Sequence, residues 1–150
     1  MKPDVDVDLD DALVLDGTDA VLGRLASTVA SAALDGRPVV VTNAERIVVS
    51  GDPDEVAEDY RARDEEGSDR GPKYPKRPDG IAKRSVRGML PMEKQRGRDA
   101  MGRIRFYVGE PADLDGVDAE TPDAVADDIG RGRHVSIGEV SERIGANVTW

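Results

Sequence analysis

The sequence predicts an α/β fold with a small central sheet of about four strands, largely parallel or mixed, and helices on both faces. Short aliphatic and β-branched runs alternate with segments whose apolar residues recur every three or four positions, and this alternation is typical of helix-covered sheets. The chain has 150 residues, which is enough for one domain with its own core. No linker or repeat divides it, so we predict a single domain over residues 1–150.

The first half of the chain predicts the order strand, helix, strand, strand, helix. After a frayed acidic segment at 1–11, the predicted elements are a strand at 12–15, a helix at 20–34, strands at 39–41 and 47–49, and a helix at about 53–64. Thr18 or Asp19 is the expected cap of the first helix, and Gly36 stands where its C-terminal glycine belongs. The expected buried stripe of that helix comprises Leu22, Leu25, Ala26, Val29, Ala30 and Ala33.

The second half of the chain adds a central helix, a strand and a short terminal helix. The central helix is expected to begin at Asp79, as its N-cap, and to end before Pro91. A strand is predicted at 104–108 and a short helix at about 138–144. Residues 110–133 are acidic and show no periodicity, so they are expected to form an exposed excursion.

Charge is distributed very unevenly along the chain. Residues 70–105 carry twelve Lys and Arg against three acids, a net charge of +9. The flanking segments carry −12 and −7, which gives the whole chain −10. A positive segment in an acidic protein indicates a polyanionic partner, because a merely solvated face would be acidic like the rest.

The central helix divides this positive segment into two faces. At 100° per residue, one face is expected to be buried, and it comprises Ile81, Ala82, Ser85, Val86, Met89 and Leu90. Lys83, Arg84 and Arg87 fall on the opposite face. Basic loops are expected on either side of the helix, with Lys73, Lys76 and Arg77 before it and Lys94, Arg96 and Arg98 after it.

Several kinds of chemistry lack residues to support them. The chain has no Cys and a single His, His134, and we therefore expect neither a metal site nor a bound cofactor. The phosphate-binding motif G-x-x-x-x-G-K-[ST] is absent. No apolar run approaches the roughly 20 residues of a membrane span, and the acidic N-terminus is not a secretory signal, so a cytoplasmic protein without membrane contact is expected. The Asp-rich, Lys-poor composition, with a pI of about 4.6, favours a halophilic source.

Five segments, taken in order, resemble one family over nearly the whole chain. They are LGRLAS at 22–27, NAERIVVSG at 43–51, VRGMLP at 86–91, RGRDAM at 96–101 and FYVG at 106–109. Together these motifs resemble ribosomal protein thirteen of the large subunit, in its archaeal form. Residues 1–11 and 110–133 fall outside the resemblance.

The resemblance implies a non-catalytic protein that binds large-subunit ribosomal RNA, contacts neighbouring ribosomal proteins and supports subunit assembly. The resemblance makes Arg84, Arg87, Lys94, Arg96 and Arg98 expected RNA contacts. Together with the rest of the basic segment, the expected RNA-binding residues are Arg70, Lys73, Tyr74, Lys76, Arg77, Lys83, Arg84, Arg87, Lys94, Arg96 and Arg98. Tyr74 is the best candidate for stacking on a base, and the alternative that its ring packs within the protein stays open. Two alternatives stay open: a cytoplasmic α/β enzyme that binds a nucleotide or other anionic substrate at the basic cluster, and a module that binds an acidic protein.

Overall fold

A computed structural model of the chain describes residues 7, 9–65, 75–114, 117–122 and 133–150. The elements in these ranges are β1 (Leu13–Asp16), α1 (Leu22–Leu34), β2 (Val39–Thr42), β3 (Val48–Ser50), α2 (Pro53–Glu65), α3 (Pro78–Arg87), α4 (Gln95–Gly102), β4 (Ile104–Phe106), β5 (His134–Ser136) and α5 (Ile137–Arg143). Short 3₁₀ turns span Ala44–Arg46 and Ala112–Leu114. The predicted α/β class is confirmed.

The strands form two small sheets. In the first, β2 lies between β1 and β4, and both pairings are parallel. Parallel neighbours need a crossover connection, and α1 supplies the one between β1 and β2. The second sheet pairs β3 with β5 in antiparallel register. β5 was not predicted, because Val135 is its single buried residue and the strand runs directly into α5.

The first sheet is buried on both faces. Leu15, Val41 and Ile104 point into the main core, which also holds the apolar stripe of α1. Val14 and Val40 point the other way, where Tyr107 and Leu114 join them in a second cluster. In the described part of the chain, this second face is covered by the N-terminal segment and the 3₁₀ turn at Ala112–Leu114, while α1, α3 and α4 pack together on the first face.

The stripe predicted for α1 is confirmed, but its predicted cap is wrong. All six stripe residues are buried. The N-cap is Val21, and it makes no side-chain capping bond. Thr18 is already engaged in the preceding turn, where its backbone N–H and its hydroxyl donate to Asp16 Oδ1 at 2.9 and 2.7 Å. Asp19 has a left-handed backbone, with φ of 60°.

Asp16 joins two loops at the end of β1. Besides the two bonds from Thr18, its carboxylate accepts a bond of 3.0 Å from Asn43 Nδ2. Burial raises the pKa of Asp16, but the hydrogen bonds from Asn43 and Thr18 outweigh it and hold the pKa below its ordinary value. The stabilisation from this depressed pKa is therefore present near neutral pH and is lost as the pH falls through the folded-state pKa.

Two predictions about the basic segment are corrected. The N-cap of α3 is Arg77 and not Asp79, because Pro78 occupies the first helical position, where its missing N–H costs nothing. The predicted basic loop at 94–98 is the start of a helix, α4, which begins at Gln95. The prediction missed α4 because only Gly97 and Ala100 are buried in it, and these two residues make no apolar stripe.

The acidic segment at 110–133 is only partly described, and most of its described residues are exposed, including 117–121. Pro111, Leu114 and Pro122 are buried. Glu120 continues the first sheet beside β1: its N–H donates to Val14 O at 2.8 Å, and its carbonyl accepts from Asp16 N at 3.0 Å. Of the predicted frayed terminus, Val7 and Leu9 pack against the second cluster. Residues 1–6, 8, 115–116 and 123–132 lie outside the described ranges.

The C-terminal helix α5 packs on α2, α3 and the 3₁₀ turn at Ala44–Arg46. Val135, Ile137 and Val140 are buried in the main core, and the backbone N–H of Ile137 donates to Ile47 O at 2.8 Å. Gly145 follows the helix with a left-handed backbone, φ 97°. His134 is exposed. None of the helices in the described ranges is long and apolar enough to cross a membrane.

Candidate nucleic-acid interface

The two faces of α3 differ as the sequence predicts. Ile81, Ala82 and Val86 are buried, at most 1 % exposed, against α1, α5 and β4. Arg84 and Arg87 are exposed on the other side, and Lys83 is half-buried. Both arginines lie in the last turn, where a positive charge interacts favourably with the negative end of the helix dipole. The fold therefore fixes the helix by its apolar face and leaves two guanidinium groups at the surface.

One residue of the predicted buried face is misplaced. Met89 is 46 % exposed. The helix ends at Arg87, and Gly88 and Met89 lie in the turn that follows, so the helical phase no longer predicts where the side chain of Met89 points. Leu90, one residue further, returns to the core.

The second basic group lies on α4 and on the residue that precedes it. Lys94 is the N-cap, and Arg96 and Arg98 are exposed in the first turns. The helix is held against the turn before it by a backbone contact: a Cβ placed on Gly97 would lie 2.1 Å from the carbonyl oxygen of Pro91. That oxygen also accepts a bond of 2.9 Å from the N–H of Lys94. Only glycine fits at position 97 without moving the backbone.

Two of the predicted contact residues also hold the protein together. Arg98 donates to Met92 O at 3.0 Å and to Gln95 Oε1 at 3.1 Å, across the N-terminal turn of α4. Arg77 donates to Asp79 Oδ1 and to Thr149 Oγ1, each at 3.3 Å, and so links the start of α3 to the C-terminal segment. The bond between Arg77 and Thr149 could not be predicted from the sequence, because it joins residues 72 positions apart.

Three other cations have no such bonds. Within the described ranges, the side chains of Arg87, Lys94 and Arg96 make no hydrogen bond or ion pair. Two arginines outside the predicted set are used internally: Arg103 donates to Ala33 O at the end of α1, and Arg105 donates to Gly102 O. Some cations of the segment therefore bond within the protein, whereas others extend from the surface without such a bond in the described ranges.

The structure describes eight of the eleven predicted contact residues. Arg70, Lys73 and Tyr74 lie outside the described ranges, so their positions stay predictions. The rest lie on or next to α3 and α4, and both helices pack on α1. No group of His, Asp or Glu in the described part of the chain could hold a metal ion.

Comparison with known proteins gives a consistent match. The family described as Ribosomal protein L13 matches residues 10–113. The protein named Large ribosomal subunit protein uL13 of Natronomonas pharaonis is 52 % identical over 144 residues, covering 95 % of this chain and 97 % of the relative. Its namesake from Halobacterium salinarum is 49 % identical over the same shares, and that from Archaeoglobus fulgidus is 41 % identical over 91 % and 89 %. The similarity to proteins of halophilic archaea agrees with the acidic composition.

Proposed function

Because the chain belongs to the ribosomal protein L13 family, we propose that it is a structural component of the large ribosomal subunit. In this proposal it binds ribosomal RNA through α3 and α4, contacts neighbouring ribosomal proteins, supports subunit assembly, and resides on ribosomes in the cytoplasm. The observation that carries the proposal is the pair of exposed arginines, Arg84 and Arg87, opposite the buried face of α3 in a protein of net charge −10.

RNA duplexes present phosphates and 2′-hydroxyls to a protein, and they are recognised largely by shape. Two adjacent basic helices can follow such a surface. The proposed contacts are Arg70, Lys73, Tyr74, Lys76, Arg77, Lys83, Arg84, Arg87, Lys94, Arg96 and Arg98. Arg77 and Arg98 would act in part by positioning, since each already bonds within the protein.

High salt makes the type of contact important. Release of counterions contributes little to binding when the surrounding salt is already molar. Binding must then rest on short bonds of fixed geometry, for which the planar guanidinium group is better suited than an ammonium group. The basic segment contains eight Arg and four Lys, in agreement with this requirement.

The test replaces Arg84 and Arg87 together by Glu. Each replacement removes a phosphate contact and adds repulsion, while the buried face of α3 is unchanged. We expect the purified double variant to melt like the wild type in molar KCl, and the tagged protein to be absent from large subunits after sedimentation. The matched control is Arg37→Glu with Arg46→Glu, which changes the charge equally at two exposed positions outside the segment. Normal entry of the Arg84/Arg87 variant into subunits would contradict the proposed binding surface.

A further inference from the structure

An open groove lies next to the basic face of α3. It has a volume of about 570 Å³, within the range of sites that hold small organic groups. Its walls come from the start of α1, the end of β3 and the end of α3. The apolar side chains along it are Val21, Leu22, Val49 and Met89, and none of the described lining residues carries a charge. A groove without a carboxylate is notable in a chain with 31 acidic residues.

Two glycines in the walls of this groove have no structural reason to be glycine. Gly23 lies in the first turn of α1, where a Cβ would meet no atom within 4 Å. Gly88 follows α3 with a right-handed backbone, φ −64°, and the nearest atom to its Cβ would be 3.5 Å away. Neither backbone geometry nor packing requires them, and glycine within a helix costs stability relative to alanine. Their common property is the space they leave in the groove.

The charges around the groove indicate the kind of molecule that fills it. Three exposed arginines lie close in sequence to the two glycines. Arg24 directly follows Gly23, Arg84 lies one helical turn before Gly88, and Arg87 directly precedes it. A ligand with an apolar planar body and a negative backbone matches this combination of an uncharged groove and cationic edges. An unstacked nucleotide is such a ligand, because its base can leave the RNA while its phosphates stay outside.

We infer that the groove between α1, β3 and α3 binds a nucleobase of large-subunit ribosomal RNA that is turned out of its stack, with Met89 against the face of the base. The thioether of Met is polarizable and adapts to the shape of an aromatic ring. The inference rests on the proposed function. It adds a site for one unpaired nucleotide to what is otherwise recognition of the RNA backbone.

The first experiment fills the groove from its walls. Gly23→Gln and Gly88→Gln each place an uncharged side chain where the base would lie, and Gly102→Gln is the matched control, since a Cβ at Gly102 also meets no atom within 4 Å but lies outside the groove. Each variant is co-expressed with the wild type in a haloarchaeal host, and the ratio of the two proteins in purified large subunits is measured by mass spectrometry. We expect the ratio to fall about tenfold for both groove variants, as for loss of one stacked base, and to stay near one for the control.

Melting of the purified proteins separates this effect from misfolding. Melting temperatures at or above that of the wild type are expected for all three variants, so weaker incorporation would not follow from instability. If a Gln variant melts at a lower temperature than the wild type, Gly88→Ala is used in its place in the incorporation experiment. A methyl group is a smaller addition, and it fits the backbone conformation of Gly88. Incorporation of the groove variants at the level of Gly102→Gln would overturn the inference.

The second experiment identifies the occupant. A diazirine amino acid at position 89 is irradiated in intact subunits, and the cross-linked partner is identified. A cross-link to one nucleotide of the ribosomal RNA is expected, whereas a cross-link only to a neighbouring protein would overturn the inference. If the groove variants enter normally while Arg84→Glu with Arg87→Glu does not, the groove inference fails and the proposed function stands. If the wild-type protein does not enter subunits, the proposed function itself fails.

Discussion

The helices α3 and α4 follow each other in the chain and carry similar charge, yet they are held in place by different means. α3 is anchored by side chains, with Ile81 and Val86 almost fully buried. α4 buries only Gly97 and Ala100, and its backbone lies directly against the carbonyl of Pro91. Large apolar side chains anchor α3, whereas α4 is held by Ala100, Met101 and the close backbone approach at Gly97.

This difference determines how each helix responds to substitution. Removing methyl groups weakens α3, because its stability comes from apolar contacts. Adding a methyl group weakens α4, because the contact at Gly97 leaves no room for one. Exposed cations that make no hydrogen bond or ion pair within the described ranges, such as Arg87 and Arg96, can be replaced at little cost to the fold.

The largest expected effect comes from the anchor of α3. Ile81 is 1 % exposed in the main core, and Ile81→Ala should lower the free energy of unfolding by about 2–5 kcal/mol through a cavity that the core cannot fill. Denaturant unfolding in molar KCl measures this. Incorporation into subunits should fall only in proportion to the folded fraction. A loss below 1 kcal/mol would show that α3 is not anchored by this face.

The second largest effect is expected from adding a methyl group to α4 rather than removing one from α3. Gly97→Ala puts a methyl group into the backbone of Pro91 and should cost about 1–3 kcal/mol, the usual range for an overpacked site. The same denaturation series measures it. Amide exchange in α4 should also become faster, while that in α3 stays slow. An unchanged stability would mean that α4 is not packed closely on this turn.

A smaller effect is expected from Arg98, which bridges the first turn of α4 to the residues before it. Arg98→Ala removes two exposed hydrogen bonds, to Met92 O and Gln95 Oε1, and should cost about 0.5–1 kcal/mol. Arg96→Ala on the same helix is the control, with no expected change in stability. Equal melting temperatures of the two variants would show that the hydrogen bonds of Arg98 do not stabilise the fold.

The smallest effect should be a gain. Gly102 ends α4, and a Cβ there meets no atom within 4 Å. Gly102→Ala should therefore raise stability by roughly 0.4 kcal/mol, because it restricts the unfolded chain without a clash. Paired measurements with Gly97→Ala test whether two glycines of one helix, five residues apart, have opposite roles. A loss of stability at Gly102 would remove that distinction.

The same contrast explains what the sequence could predict. Periodicity reports apolar side chains, so it correctly predicted the stripe of α1, a buried strand at 39–41 and, apart from Met89, the buried side of α3. It does not report a helix packed through Gly97, a three-residue strand such as β5, or the turn that exposes Met89. The N-cap predictions failed because Thr18 donates to Asp16 and because Pro78 takes the first position of α3, whereas Gly36 follows α1 with a left-handed backbone as predicted.

The candidate site was predictable to a similar degree. Clustering of charge identified the basic segment, and helical phase separated Arg84 and Arg87 from the buried face. Whether a cation bonds within the protein depends on residues distant in the chain, such as Thr149 for Arg77. The groove beside α3 was beyond prediction, because its walls come from three separate elements.

The pairing of β3 with β5 sets an order of events during synthesis. Val48 pairs with Ser136, so the second sheet cannot form until the polypeptide has grown far beyond β3 and α3. α5, which follows β5 directly, is also one of the elements on which α3 packs. Until those residues leave the ribosome that makes them, the apolar side of α3 lacks part of its support. The basic face of α3 therefore gains its full support only late in translation, after β5 and α5 have been synthesised.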